Sequence, residues 1–182
     1  IPRNSGEWNK IETRVKETDP NCQILTVEKI QNPFLWKQYQ FQVKSMKERF
    51  GEAQTEELFH GTSGADPSVI YQGETGFDMC FSGQGMWGRG CYFAVNASYS
   101  RKYAFTEGSI RKFLLAEVLV GDYETLPPNS STRKPNIKPL HKQTGKMKDE
   151  RYSSIKGNTK GSDVFIVYDN NRAYPYYLIS FA

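Results

Sequence analysis

Residues 113–120 are apolar on both faces of an extended chain. Leu114, Ala116, Val118 and Val120 fall on one face; Phe113, Leu115 and Leu119 fall on the other, interrupted by Glu117. Side chains alternate between the faces of a strand, so this pattern predicts a central strand covered on both sides. Helices to cover it are signalled elsewhere. Asn32-Pro33 supplies an N-cap and a first helical residue, Leu35, Tyr39, Val43, Met46 and Phe50 follow at helical spacing, and Gly51 ends the run. A weaker helix from about Ser5 puts Trp8, Ile11 and Val15 on one face, Asp66-Pro67 opens a short third one, and 97–103 reads as a fourth. Further strands are expected over 23–30, at Leu58-Phe59-His60, at Cys91-Tyr92-Phe93-Ala94, over 164–168 and over 176–181, with a turn at 169–175. Residues 75–90 are Gly-rich and irregular, and 125–160 reads as mostly loop. Short strands among short helices, without regular alternation, specify the α+β class.

A chain of 182 residues, 37% hydrophobic and 14% aromatic, suits a single domain with one core. No apolar run approaches the roughly 20 residues needed to cross a bilayer, so no membrane partner is expected. The N-terminal Ile1-Pro2-Arg3-Asn4 carries neither Met nor a signal-peptide pattern, which suggests a piece of a larger multidomain protein. Cys22, Cys80 and Cys91 are odd in number and widely spaced, so they form no disulfide framework. With His60 and His141 as the only histidines, no paired ligand spacing exists, and no metal is expected. A reducing setting, cytoplasmic or nuclear, fits these thiols. The formal charge is +4, unevenly spread: between 129 and 160, nine Lys/Arg face only Asp149 and Glu150. Such a stretch suits an acidic partner. Its one aromatic, Tyr152, gives little support for base stacking, so nucleic-acid binding is not expected.

Four features stand out, the last of them a pair of strands. His60-Gly61-Thr62 puts a polar ring beside bare backbone at a strand end, where a carboxamide could meet main-chain N–H and C=O. Gly88-Arg89-Gly90-Cys91-Tyr92-Phe93-Ala94 runs from two glycines flanking a charge into an aromatic strand. In Ala97-Ser98-Tyr99-Ser100-Arg101-Lys102-Tyr103, Ser100 and Tyr103 share a helix face, a hydroxyl beside an aromatic plate. Val164-Phe165-Ile166-Val167-Tyr168 and Tyr174-Pro175-Tyr176-Tyr177-Leu178-Ile179 are apolar strands. Each segment alone is compatible with a turn, a hairpin or a routine core element.

In this order and at these separations, the segments resemble the catalytic domain of the poly(ADP-ribose) polymerase-like superfamily, the diphtheria-toxin-type ADP-ribosyltransferases. The resemblance runs over 22–182, with 1–21 as an N-terminal helix and linker. It includes the opening segment 27–39, and Tyr174-Pro175-Tyr176-Tyr177-Leu178-Ile179 is most similar to the mono-ADP-ribosylating branch. It implies a mixed, mostly antiparallel, split two-sheet core and NAD+ as co-substrate. His60 would bond the adenine-side ribose, with Thr62 nearby. The Gly61 backbone and the Ser100 hydroxyl would hold the nicotinamide carboxamide. Tyr103 would stack on that ring and Tyr92 would pack on its other side. Nicotinamide mimics should compete there. Residues 76–88 would form the donor loop, and 125–160 would hold the acceptor-side loop.

Val164 falls where polymerising members carry a catalytic Glu. Valine can neither accept a hydrogen bond nor polarise an acceptor hydroxyl. The resemblance therefore implies transfer of a single ADP-ribose to a protein acceptor, one that could be acidic and bring its own carboxylate. Asp163 should not substitute, because neighbours on a strand point to opposite faces. The alternative is an inactive binding module with an NAD-type pocket. The presence of His60, Tyr92, Ser100 and Tyr103 together favours the enzyme.

Overall fold

The computed structural model describes residues 1–134 and 151–182. Four helices appear among them: α1 (Gly6–Lys16), α2 (Pro33–Phe50), α3 (Ser68–Tyr71) and α4 (Ala97–Arg101). The strands are β1 (Ile24–Lys29), β2 (Thr55–His60), β3 (Gln84–Gly85), β4 (Gly88–Arg89), β5 (Cys91–Ala94), β6 (Phe105–Glu107), β7 (Ile110–Leu119), β8 (Tyr123–Leu126), β9 (Ser154–Thr159), β10 (Ser162–Val167) and β11 (Ala173–Phe181). A 3-10 helix covers Met79–Phe81.

The helix ends follow local chemistry. The Asn32 carboxamide oxygen accepts from the N–H groups of Phe34 and Leu35, both at 3.1 Å, and Gly51 closes α2 with φ of 85°. Ser5 caps α1 by accepting from Trp8 N–H at 3.1 Å. Trp8, Ile11 and Val15 then join Val27, Phe59, Phe113, Leu115 and Phe181 in one apolar cluster beneath the sheet.

Nine strands form one sheet in the order β1-β11-β7-β2-β5-β10-β9-β8, with β6 paired to β7; β3 and β4 form a small second sheet. Among the described strands, only β8 and β9 run parallel. The long central strand is β7, whose residues 113–116 and 118–119 are fully buried. The two halves of the large sheet meet through a single paired position, Phe59 with Ala94. The cleft described below opens along this seam.

Three segments depart from the sequence reading. The stretch 125–160 is not loop throughout: among its described residues, β8 ends in it and β9 lies within it. Strand β9 (Ser-Ile-Lys-Gly-Asn-Thr) is too polar to signal itself; it is held by six paired positions on β10. Residues 173–175 belong to β11 rather than to a turn. Pro175 is accommodated next to a register shift between 175 and 177, where a ladder bond can be missing. The irregular 75–90 segment contains the β3–β4 hairpin. Residues 135–150, with Lys138, Lys142, Lys146 and Lys148 of the basic stretch, lie outside the described residues.

Candidate active site

A cleft of about 520 Å³ opens on the sheet seam, within the range of small-molecule sites. All seven residues singled out from the sequence line it: His60, Gly61, Thr62, Tyr92, Ser100, Tyr103 and Val164. They come from the end of β2, from β5, from α4 and its exit, and from β10.

His60 has a fixed tautomer. Its Nδ1 lies 2.8 Å from the Tyr92 carbonyl oxygen. A carbonyl can only accept, so Nδ1 carries the proton and Nε2 keeps its lone pair. The ring packs edge-on to Phe77, with centroids 5.1 Å apart, and lies 5.3 Å from Phe93. Burial lowers the His60 pKa below its ordinary value, and the bond to Tyr92 offsets this only in part. The imidazole is therefore neutral at pH 7 and offers an acceptor to the cleft.

Gly61 is fixed by its neighbours. A Cβ there would stand 2.4 Å from the Tyr103 carbonyl oxygen and 2.7 Å from that of Ser100. Ser63 N–H donates to the same Tyr103 oxygen at 2.7 Å, so the end of β2 is laced to the exit of α4. This contact sets Ser100, which is buried, and Tyr103, which is 36% exposed, beside bare Gly61 backbone. Helix α4 is anchored from its far side. The Arg101 guanidinium bonds both carboxylate oxygens of buried Asp19, at 3.1 and 2.9 Å. Arg14 of α1 donates to Val95 O at 2.7 Å and stacks on Phe59, which steadies the end of β5.

Tyr92 offers the cleft its ring rather than its hydroxyl. That hydroxyl accepts from Trp87 N–H at 2.9 Å and donates to Gly88 O at 2.8 Å. The β3–β4 hairpin lies flat against the ring, since a Cβ on Gly85 would approach Tyr92 Cζ to 2.4 Å. Burial pushes the Tyr92 pKa up, so the phenol stays protonated. Trp87 is fully buried over Gly157 of β9, and its indole N–H donates to Pro127 O at 3.3 Å. The Tyr168 hydroxyl closes the group by donating to Trp87 O.

Val164 forms part of the cleft floor, fully buried with Trp87, Ala94, Ile155 and Ile166. Asp163 turns to the opposite face, where it pairs with Lys156 at 2.9 Å and accepts from Asn158 at 2.7 Å. The one carboxylate among the described lining residues is Asp78. It accepts from Cys80 N–H at 2.8 Å and from the Asn170 side chain at 3.2 Å, and the first of these bonds lowers its pKa. No cluster of three His, Cys, Asp or Glu is found among the described residues.

Several lining residues were not singled out from the sequence. Tyr99 stands 5.3 Å from Tyr103, ring to ring. Phe77 and Trp87 back the His60 and Tyr92 rings, and Lys160 stands at the rim. Tyr99 sat inside the quoted α4 segment and had a signal of its own, an aromatic one residue before Ser100. Trp87 had none, because the glycine that receives it is 70 residues away.

The sheet is split at one paired position, and His60, Gly61, Ser100 and Tyr103 gather in the cleft at that seam. Residues 5–182 match the family model of the poly(ADP-ribose) polymerase catalytic domain, and the chain belongs to that family. It is similar to a Dictyostelium discoideum protein named as a probable poly [ADP-ribose] polymerase, with 34% identity over 189 residues, covering 100% of this chain and 51% of that protein. It is 30% identical over 187 residues to human protein mono-ADP-ribosyltransferase PARP14, covering 96% of this chain and 10% of the relative. It is 31% identical over 184 residues to mouse protein mono-ADP-ribosyltransferase PARP12, covering 100% and 25%. The chain thus spans about half or less of the length of these curated relatives.

Proposed function

We propose that this domain is an NAD+-dependent protein mono-ADP-ribosyltransferase. One observation carries the reading: Gly61, Ser100 and Tyr103 line one cleft with a buried valine, at the position where elongation would need a free carboxylate. The Gly61 N–H and C=O, with the Ser100 hydroxyl, hold the carboxamide. Tyr103 and Tyr92 flank the ring, and His60 Nε2 accepts from a hydroxyl of the adenine-side ribose, with Thr62 alongside. Nicotinamide departs with the electron pair of its glycosidic bond, which cancels the pyridinium charge. Clamping ring and ribose in one geometry favours the oxocarbenium-like state, and positioning supplies much of the acceleration.

Relatives named as protein mono-ADP-ribosyltransferases support the single-unit product, as does Val164 at the polymerase Glu position with the neighbouring Asp163 bonded to Lys156 and Asn158. The acceptor is a protein side chain. The relatives' greater length supports a setting within a larger protein. Buried Val164 also favours one second reading, a binding module that holds NAD+ without turning it over.

A benzamide-type ligand tests the niche. It should raise the melting temperature of the wild-type domain by several degrees at saturation, and by less in Tyr103→Ala, because a ligand bound to the native state stabilises it. No shift at saturation would refute the niche. A shift without nicotinamide release from NAD+ would favour the binding module.

A further inference from the structure

We propose that Lys160 selects the acceptor: its ammonium pairs with the carboxylate of an acidic side chain and holds it at the Val164 end of the cleft. This rests on the transferase reading above. The β9–β10 hairpin closes with Thr159 opposite Ser162, leaving Lys160 and Gly161 as its two turn residues. Their φ angles are 49° and 79°, the signs a type I′ turn requires. Asn-Gly is the favoured pair in such turns, because asparagine tolerates left-handed backbone better than lysine does.

Among the described residues, the non-glycine positions with positive φ are Asn4, Ser63, Lys160 and Asn171. Lys160 alone of these has no short polar side chain to bond its own backbone. A residue kept in a disfavoured conformation at a site rim points to a role there. The tip is also held in place: the Asn96 side chain donates to Gly161 O at 3.1 Å, and Asn96 N–H donates to Ser162 Oγ at 3.3 Å. Lys160 is exposed, lines the cleft together with Thr159, and has no acidic partner among the described residues. Lys156, on the same hairpin, is by contrast committed to Asp163. Val164 lies two strand positions past Ser162, so at about 3.3 Å per residue the tip is roughly 10 Å away. The flexible lysine stem spans much of that distance, leaving room for a small carboxylate between ammonium and reacting ribose.

The chemistry of the lining selects the same class. A carboxylate oxygen can bond to C1 of the nicotinamide-side ribose while the C–N bond breaks and its electron pair passes to the pyridinium nitrogen. The acceptor loses its negative charge and the leaving group its positive charge, with no proton to move. A hydroxyl acceptor would have to lose a proton, and the one carboxylate in the described lining, Asp78, already accepts from Cys80 N–H and Asn170 through Oδ1, with its pKa lowered, which makes it a weak base.

The test uses two peptides of one sequence, with Glu or Gln at the acceptor position, and three proteins: wild type, Lys160→Asn and Lys160→Arg. Asparagine suits the turn and removes the charge. Lys160→Asn should raise KM for the Glu peptide by up to about five-fold, the upper end for one exposed ion pair. It should also lower the ratio of peptide modification to free ADP-ribose by a similar factor. Lys160→Arg should restore both. An unchanged KM, or equal weakening toward both peptides, would overturn the role of Lys160. No nicotinamide release from the wild-type chain would defeat the transferase reading as well, so the two failures are distinguishable.

Discussion

At the scale of single residues, the cleft depends on what is missing as much as on what is present. A methyl group on Gly61 has nowhere to go, because the atoms it would meet are backbone carbonyls of Tyr103 and Ser100. Gly61→Ala should destabilise the fold by about 1–3 kcal/mol, the usual cost of forcing extra bulk into a packed site. It should also weaken benzamide binding, and paired melting curves with and without ligand measure both effects. His60 gives a pH dependence with a defined sign. Its folded-state pKa lies below the unfolded value of about 6.5, so its contribution to stability is full above that pH. That contribution is lost as pH falls through the folded pKa, where the native imidazole must charge. Denaturation midpoints should fall as the pH drops below about 6.5, with a smaller slope in His60→Gln; identical slopes would contradict the assignment. Val164→Glu should bury an unpaired carboxylate among Trp87, Ile155 and Ile166. It should cost several kcal/mol, or push the new carboxyl toward its neutral form, and yield no ladder of lengthening adducts.

At the scale of elements, the described fold is held by short, specific links between segments distant in sequence. Asn32 caps α2, its side-chain amide donates to Tyr71 O at 3.0 Å, and its own N–H donates to the Tyr174 hydroxyl at 3.1 Å. Asn32→Ala should cost about 1–2 kcal/mol by urea denaturation, and Asn32→Asp less, because aspartate keeps the cap. Gly157→Ala would drive a methyl group into the Trp87 indole and displace the hairpin that holds the Tyr92 hydroxyl. These links also divide what the sequence could tell from what it could not. The cap at Asn32, the helix start near Ser5, the doubly apolar β7 and the short β5 are written in neighbouring residues, and they were readable. Strand β9 was not, because it is polar and pairs through register with β10; Lys160-Gly161 was its one local clue, a two-residue turn between polar flanks. The expected turn over 169–175 overlaps β11, which begins at Ala173 and runs through Pro175 to a register shift. The cleft residues were found through the order of motifs, since nothing in His60-Gly61-Thr62 alone says that Tyr103 will lie against Gly61. Trp87, Phe77 and Lys160 reach the site only through tertiary packing, which no local pattern encodes.

At the scale of the molecule, the seam between two half-sheets makes the cleft, and flanking helices hold its walls at fixed separation. Helix α1 belongs to that frame: Trp8, Ile11 and Val15 are buried, Arg14 bonds Val95 O, and Asp19, just beyond the helix, pairs with Arg101. Removing residues 1–21 should therefore destabilise the remainder by several kcal/mol, given about 1.5–3 kcal/mol for each large apolar side chain withdrawn from the core. Melting of the shortened chain checks this. The central claim is that the seam splits NAD+ and passes on one ADP-ribose. Its most direct test is to incubate the domain with NAD+, quantify released nicotinamide, and weigh the intact protein. The account predicts nicotinamide release, protein masses raised only by single ADP-ribose units on separate sites, and loss of both with a benzamide-type inhibitor. Chains of ADP-ribose growing on one site, or no nicotinamide release from a domain that binds the inhibitor, would contradict it.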